Sequence, residues 1–186
     1  MIIGTRIKLR DKSLGDIQND YTWSMDGELL QLDAAPLLPI SFHQYLSDCT
    51  EELSYPSASR YRFAVETLDG KHIGNCSYYN IIPEKDEAEL GIMIGNRDYW
   101  NKGYGVDVVN SLVNHIFHQT KLRRVYLKTL DWNTRAHKCF HKCGFVPYGQ
   151  LARDGYNFVL MELHRNQWEK HQKKQYQNES SAAQPQ

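Results

Sequence analysis

The stretch Trp100-Asn101-Lys102-Gly103-Tyr104-Gly105-Val106 joins two segments of different periodicity. Residues 87–94 before it read as a β-strand. After it, six apolar residues recur at helical spacing, namely Val106, Val109, Leu112, Val113, Ile116 and Phe117. The first amides of a helix lack partners within it and lie at the positive end of its dipole, and glycine lets a phosphate approach the backbone closely. The stretch therefore indicates either an anion-binding loop or a tight turn before a helix.

The composition is that of one domain of ordinary size. The 186 residues are 41% hydrophobic, and 22 lysines and arginines balance 22 aspartates and glutamates. This balance disfavours nucleic acid and acidic membrane surfaces as partners. No apolar run has the length of a bilayer span. The first ten residues show no signal-peptide pattern, so we expect a cytoplasmic protein with reduced thiols.

A metal site is not expected. Cys139 and Cys143 lie four residues apart on a predicted helix, close to His137 and His141. A structural metal needs about four converging ligands, and the other two cysteines lie far away in the sequence.

The first half of the chain is predicted to contain two short helices followed by strands. One helix carries Ile17 and Trp23, and the second begins at a Ser41 capping box and ends near Leu53. Alternating patterns predict strands over residues 6–10, 61–65, 72–82 and 87–94, with turns at 68–71 and 83–86.

The second half is predicted to add one crossover and one hairpin. The strand over 124–130 should lie parallel to the strand over 87–94, because a helical crossover joins them. Asn133 or Thr134 caps a short helix that ends at Gly144, and Asp154-Gly155 forms a hairpin turn. We expect one domain over residues 1–170 and a polar, disordered tail over 171–186.

Two motifs in register resemble the signatures of the GNAT acetyltransferases. Residues 100–105 resemble the acyl-CoA pyrophosphate loop of that family, Gln/Arg-x-x-Gly-x-Gly/Ala. Asn133-Thr134-Arg135-Ala136, followed by His141 to Phe145, resembles the second signature. Segments 69–74, 88–91 and 159–168 are similar to the branch that includes the ribosomal-protein N-terminal acetyltransferases, in which Trp at position 100 also occurs. The resemblance covers residues 5–168.

The resemblance implies the mixed α/β GNAT fold. This fold has a mostly antiparallel, twisted sheet of about seven strands, with helices on both faces. A splayed parallel pair lies in the middle of the sheet, here the strands over 87–94 and 124–130.

The resemblance also implies acetyl-CoA as the cofactor. The loop amides would hold its pyrophosphate and the backbone at Ile92 and Ile94 its thioester arm, while Asn133 reaches the pantetheine, caps its own helix, or does both. Lys102, Arg123, Arg124 and Arg135 are each either ligands of the 3′-phosphate or surface charges. The expected cofactor-binding residues are Ile92, Met93, Ile94, Asn101, Lys102, Gly103, Tyr104, Gly105, Val106, Asn133, Arg135 and Phe140.

Acetyl transfer to an amine requires a base and a donor to the thioester oxyanion. Glu89 is the candidate base, directly or through water, or else a surface charge paired with a lysine. Glu87 competes for the role because alternate residues of a strand share one face. The backbone N–H of Met93 or Ile94 is the expected oxyanion donor.

The proton for the departing thiolate has no assigned source. Many GNAT relatives carry a tyrosine at the position of Phe140, and phenylalanine has no proton to give. Cys139, Tyr104 and bulk water remain as alternatives, although Cys139 also fits a plain core position.

The expected function is N-acetylation of a primary amine by direct attack in a ternary complex with acetyl-CoA. Resemblance to the branch suggests a protein N-terminus as acceptor. The alternatives are a small amine or an aminoglycoside, a CoA-binding module without turnover, and a structural domain whose glycine loop is only a turn. Exposed strand edges and the C-terminal hairpin favour a homodimer.

Overall fold

The computed structural model describes residues 1–37 and 39–182, with side chains up to residue 173. Its centre is one eight-stranded sheet with the strand order β1-β2-β3-β4-β5-β6-β8-β7. The strands are β1 (Ile2–Ile3), β2 (Ile7–Asp11), β3 (Arg60–Thr67), β4 (His72–Ile82), β5 (Glu87–Ile94), β6 (Arg124–Leu130), β7 (Val146–Arg153) and β8 (Tyr156–His164).

Helices cover both faces of this sheet. They are α1 (Ile17–Ser24), α2 (Gly27–Leu32), α3 (Phe42–Ser54), α4 (Tyr104–Gln119), α5 (Thr134–Lys142) and α6 (Arg165–Ala182). The helices α4, α5 and α6 pack on one face through a shared core, and α1 to α3 lie over the other. The predicted mixed α/β fold is confirmed.

Three local expectations differ from the structure. The sheet has eight strands rather than about seven, because Ile2 and Ile3 pair with Leu9 and Lys8 at its edge. The short helix α2 was not expected, although Asp26 caps it by accepting from the amides of residues 28 and 29. The tail predicted over 171–186 is helical as far as Ala182, and residues 183–186 lie outside the described residues.

The parallel strands β5 and β6 separate after a short paired stretch. Only the pairs Glu87 with Arg124, Ala88 with Val125, and Glu89 with Tyr126 are in register. Beyond them β6 stays paired with β8, and β5 stays paired with β4. The predicted splay is confirmed, and it opens the sheet between the C-terminal halves of β5 and β6.

Successive side chains of β5 point to opposite faces of the sheet, and the two faces have different surroundings. Ala88 and Leu90 are buried in the core beside Val109 and Leu112 of α4. Burying a leucine of this kind stabilises the fold by roughly 2 kcal/mol. The side chains of Glu87, Glu89 and Met93 lie on the opposite face, away from α4.

The backbone of β5 passes unusually close to Gly74 of β4 at this opening. An ideal Cβ on Gly74 would lie 2.1 Å from the carbonyl oxygen of Met93 and 2.9 Å from Cα of Ile94. We expect Gly74→Ala to displace β5 and to lower the free energy of unfolding by about 1–3 kcal/mol, as overpacking does. Denaturant titration measures this change.

Gly149→Ala is the matched control for this substitution. Gly149 also lies in the sheet, but an added Cβ there meets its nearest neighbour, Leu160, at an ordinary 3.5 Å. Equal unfolding midpoints for the two variants would contradict the close approach at Gly74.

Candidate active site

A cleft of about 540 Å³ fills the opening between β5 and β6. The start of α4 and the first turns of α5 close its sides. Most residues that the sequence predicts for the cofactor or the chemistry line it, namely Glu89, Ile92, Met93, Ile94, Asn101, Gly103, Gly105, Val106, Asn133, Arg135 and Phe140. The side chains of Lys102 and Tyr104 do not.

The glycine loop leaves the first amides of α4 open. Gly103 precedes the helix with φ +85°, a left-handed conformation that favours glycine, and no side chain of the described residues caps this end. A Cβ on Gly103 would meet nothing within 4 Å, so the backbone faces open space in the cleft. Asp107 of the first turn instead accepts from the amides of Thr5 and Arg6, away from this space. The loop can therefore accept a phosphate group.

Trp100, at the start of the glycine loop, contacts both the end of β5 and the helix α5. Its indole N–H donates to the carbonyl of Ile94 at 2.6 Å, and the guanidinium of Arg135 stacks over its ring at 3.6 Å. The residue at the variable first position of the loop thus connects the end of β5 to α5. A ligand arm along β5 would share the Ile94 carbonyl with this indole.

The peptide between Met93 and Ile94 has a defined direction. The Met93 carbonyl points at β4, where it excludes a side chain on Gly74. In a trans peptide the following N–H points the opposite way, so the Ile94 N–H is directed towards the cleft. Of the two expected oxyanion donors, this geometry favours Ile94 over Met93.

The two carboxylates expected to compete on β5 have different partners. Glu87 pairs with Arg124 at the start of β6 and does not line the cleft. Glu89 lines it and is buried, and it accepts from Lys128 at 2.7 Å, Tyr79 at 3.1 Å and Asn80 at 2.9 Å. A carboxylate has about four acceptor positions, so roughly one stays open on Glu89. Of these two carboxylates, only Glu89 lines the cleft, so only Glu89 can contact a ligand there.

Tyr79 lies beside Glu89 and was not expected as a site residue. Burial and the neighbouring Glu89 carboxylate raise the pKa of its phenol above the usual value of 10.0. Tyr79 therefore stays protonated and donates to Glu89. Its position opposite Glu89 follows from the β4–β5 register, which the sequence does not reveal.

The candidate proton donors for the departing thiolate differ in whether they line the cleft. Tyr104 packs edge-on against Tyr99, with ring centroids 4.9 Å apart, and does not itself line the cleft. Cys139 lines the cleft. Phe140 also lines it and packs on Phe145. Cys139 and water therefore remain as proton sources.

Positive charge in the cleft comes partly from residues that sequence reasoning missed. Arg123 pairs with Asp86, and Arg124 with Glu87 and Glu162; neither arginine lines the cleft. Arg135, Lys138 and Lys142 of α5 and Lys128 of β6 do. The spacing of Lys138 and Lys142, four residues apart on one helix face, is the signal that could have found them.

Asn133 has both of its expected features. Its side-chain oxygen accepts from the amide of Ala136 at 3.1 Å, which makes it the cap of α5. It also lines the cleft, so capping and ligand contact are compatible.

A second cavity of about 400 Å³ lies under α1 to α3 and adjoins the cleft. The two share one wall, formed by Leu29, Asp33, Tyr79, Gly91, Ile92 and Met93. Asp33 follows α2 and was not expected as a site residue. Loss of solvation in this concave position raises the pKa of its carboxyl above the usual 3.8, although Lys128 acts in the opposite direction.

Within the described residues, no three His, Cys, Asp or Glu side chains converge as a metal site would require. Cys143, four residues from Cys139, instead donates to the carbonyl of Val106 at 3.7 Å. No helix of the described part is long and apolar enough to cross a membrane.

Solved structures and curated relatives resemble this chain along most of its length. A spermidine N-acetyltransferase from Vibrio cholerae, solved with CoA and spermine, superimposes with a TM-score of 0.79 at 20% identity, covering 87% of this chain and 97% of that one. An uncharacterized N-acetyltransferase p20 from Bacillus licheniformis is 28% identical over 151 residues, 80% of this chain and 83% of the relative. An aminoglycoside N(6')-acetyltransferase type 1 from Klebsiella pneumoniae is 24% identical over 178 residues, 88% and 86% of the two chains.

These relatives do not support the expected likeness to the ribosomal-protein branch, since the two with a named acceptor carry the names of a polyamine and of aminoglycosides. A family model described as acetyltransferase (GNAT) domain matches residues 6–146. This match covers most of the chain, and it confirms the predicted enzyme class, an N-acetyltransferase that uses acetyl-CoA. The chain belongs to the GNAT acetyltransferase family.

Proposed function

We propose that this enzyme acetylates a primary amine of a small molecule. The second cavity is the observation that carries this choice of acceptor. At about 400 Å³ it has the size of a small-molecule pocket, and Leu30, Pro36 and Tyr45 help to enclose it. The relatives named for spermidine and aminoglycosides support the same acceptor class over a protein N-terminus.

The two cavities suit a ternary complex. The cleft, with the glycine loop at one end, suits the acetyl donor, and the second cavity suits the amine. Tyr79 and Met93 belong to their shared wall, so the reacting groups would meet there. Holding both reactants at one wall lowers the entropic barrier to their reaction.

Each step of the acetyl transfer is assigned to particular residues of the chain. Acetyl-CoA supplies a thioester, whose carbonyl carbon bonds to the amine nitrogen while its bond to sulfur breaks. The amides at the start of α4 hold the pyrophosphate, and the Ile94 N–H donates to the oxyanion. Glu89 takes the first proton from the ammonium form of the amine, directly or through water, and the neutral nitrogen attacks and then loses its second proton to water. The thiolate takes a proton from Cys139 or from water.

An acceptor panel tests the proposal. The purified protein is incubated with acetyl-CoA and, separately, spermidine, kanamycin, n-butylamine, and a peptide with a free N-terminus. Thiol release and product mass are measured, and the reaction without amine corrects for hydrolysis. We expect a small amine to be acetylated at least tenfold faster than the peptide. A faster peptide reaction, or no acetylated product from any small amine, would reject the small-molecule acceptor.

A further inference from the structure

Asp33 lies in the wall that the cleft and the second cavity share. It follows the last turn of α2 and borders both the cleft and the second cavity. Of the described residues, it alone contributes a carboxylate to both. A group at the shared wall lies next to the point where donor and acceptor would meet.

The other carboxylates that line the two cavities are already paired, Asp20 with Lys12 and Glu89 with Lys128. Arg60, which lies over the Tyr79 ring, lines the second cavity without an ion-pair partner among the described side chains. Glu89 is bound by Lys128, Tyr79 and Asn80, so the Glu89 and Lys128 charges largely cancel. Asp33 has no hydrogen-bond or ion-pair partner among the side chains that the structure describes. It is also exposed to the cavities rather than withdrawn into the core. Of the described residues that line either cavity, Asp33 therefore carries the one unpaired carboxylate, the group that an ammonium ligand would seek.

The surroundings make that charge sensitive to a cation. Asp33 is exposed in the cavities, yet the nearby protein removes part of its solvation and raises the pKa of its carboxyl above the usual value. Lys128 of β6 offsets this loss only in part. A cationic group in the second cavity would replace the missing solvation and would favour the ionised carboxylate.

We propose that Asp33 binds the ammonium group of the acceptor and thereby selects cationic aliphatic amines over amines that are neutral when they bind. The inference rests on the proposed function, since it names the chemical class of the acceptor for that same site. Asp33 holds the ammonium group at the shared wall, and Glu89, with one acceptor position open, then receives the proton. The two carboxylates have separate tasks, binding for Asp33 and proton transfer for Glu89.

Binding of a dead-end complex tests this assignment without turnover. The dissociation constants of spermidine and of n-butylamine are measured by calorimetry at pH 7, on protein saturated with CoA. Replacing Asp33 by asparagine keeps the shape and removes the charge. We expect Asp33→Asn to raise both constants about 10- to 100-fold, the range for a lost charged hydrogen bond. Asp33→Glu should restore part of the affinity.

Asp131→Asn is the matched control, since it removes one exposed carboxylate that lines neither cavity. It should leave both constants unchanged, and the CoA affinity should stay the same in all variants. Unchanged amine affinity in Asp33→Asn, or no amine binding to the wild-type protein at millimolar concentration, would overturn the assignment. Amine binding that depends on Asp33 without any acetylated product would keep the ammonium site and reject the proposed reaction instead.

Discussion

Gly103→Trp should raise the dissociation constant for CoA at least 100-fold. Gly103 has φ +85° and faces open space in the cleft, so an indole there would occupy the approach to the first amides of α4. A non-glycine residue in this conformation also costs about 1–2 kcal/mol of stability. Calorimetric titration with CoA, together with thermal unfolding in its absence, separates lost binding from lost fold.

Gly155→Trp is the matched control for Gly103→Trp. Gly155 lies in the β7–β8 turn with φ +79° and equally open surroundings, and it lines neither cavity. The two variants should lose similar stability, and only the one in the loop should lose CoA. Wild-type CoA affinity in Gly103→Trp would show that the glycine loop is only a turn.

The second large effect is expected for Glu89→Gln. A positioned general base contributes about 10²–10⁴-fold to a rate, so we expect kcat to fall at least 100-fold. Glutamine keeps the size of the side chain, and Lys128 stays partly exposed, so the fold should survive. Steady-state kinetics with the best amine of the panel, measured across pH, tests this. We expect the pH–rate profile of the variant to differ in shape from that of the wild-type enzyme.

Glu87→Gln provides the matched control. Glu87 lies on the same strand and face, is similarly buried and is also ion-paired, but it does not line the cleft. We expect it to lose about 1–3 kcal/mol of stability and to keep kcat, because its partner Arg124 is left with a weaker acceptor. A pH–rate profile of unchanged shape in Glu89→Gln, or equal kcat in both variants, would exclude Glu89 as the base.

The roles of Glu89 and Asp33 predict different kinetic signatures. Loss of Glu89 should lower kcat with little change in KM, because the proton transfer belongs to the chemical step. Loss of Asp33 should mainly raise the KM for the amine. The two substitutions therefore test the chemistry and the acceptor site separately.

Much of the fold was accessible from local patterns. The strand over 87–94, the loop with Gly103, and the helix that follows each have a periodicity or a turn residue of their own. Asp154-Gly155 marked the last hairpin in the same way. Such features depend on neighbouring residues in the chain, so the sequence alone predicts them well.

The unexpected features lack a local signature of this kind. The helix α2 has only six residues and begins with Gly27, so its apolar spacing is too short to stand out. The strand β1 has two residues and depends on pairing with β2. The continuation of α6 into a polar segment likewise runs against composition.

For the site, the sequence by itself determined the glycine loop and the capped helix at Asn133, because each is a local motif, and the family resemblance implied the splayed strands. It could not choose between Glu87 and Glu89, which share one strand face. The tertiary structure separates the two, since it pairs Glu87 with Arg124 outside the cleft and Glu89 with Lys128 in the cleft wall. Asp33 could be proposed as a site residue only from the folded chain. It is a single aspartate in an irregular segment, and only the tertiary structure places it where the two cavities meet.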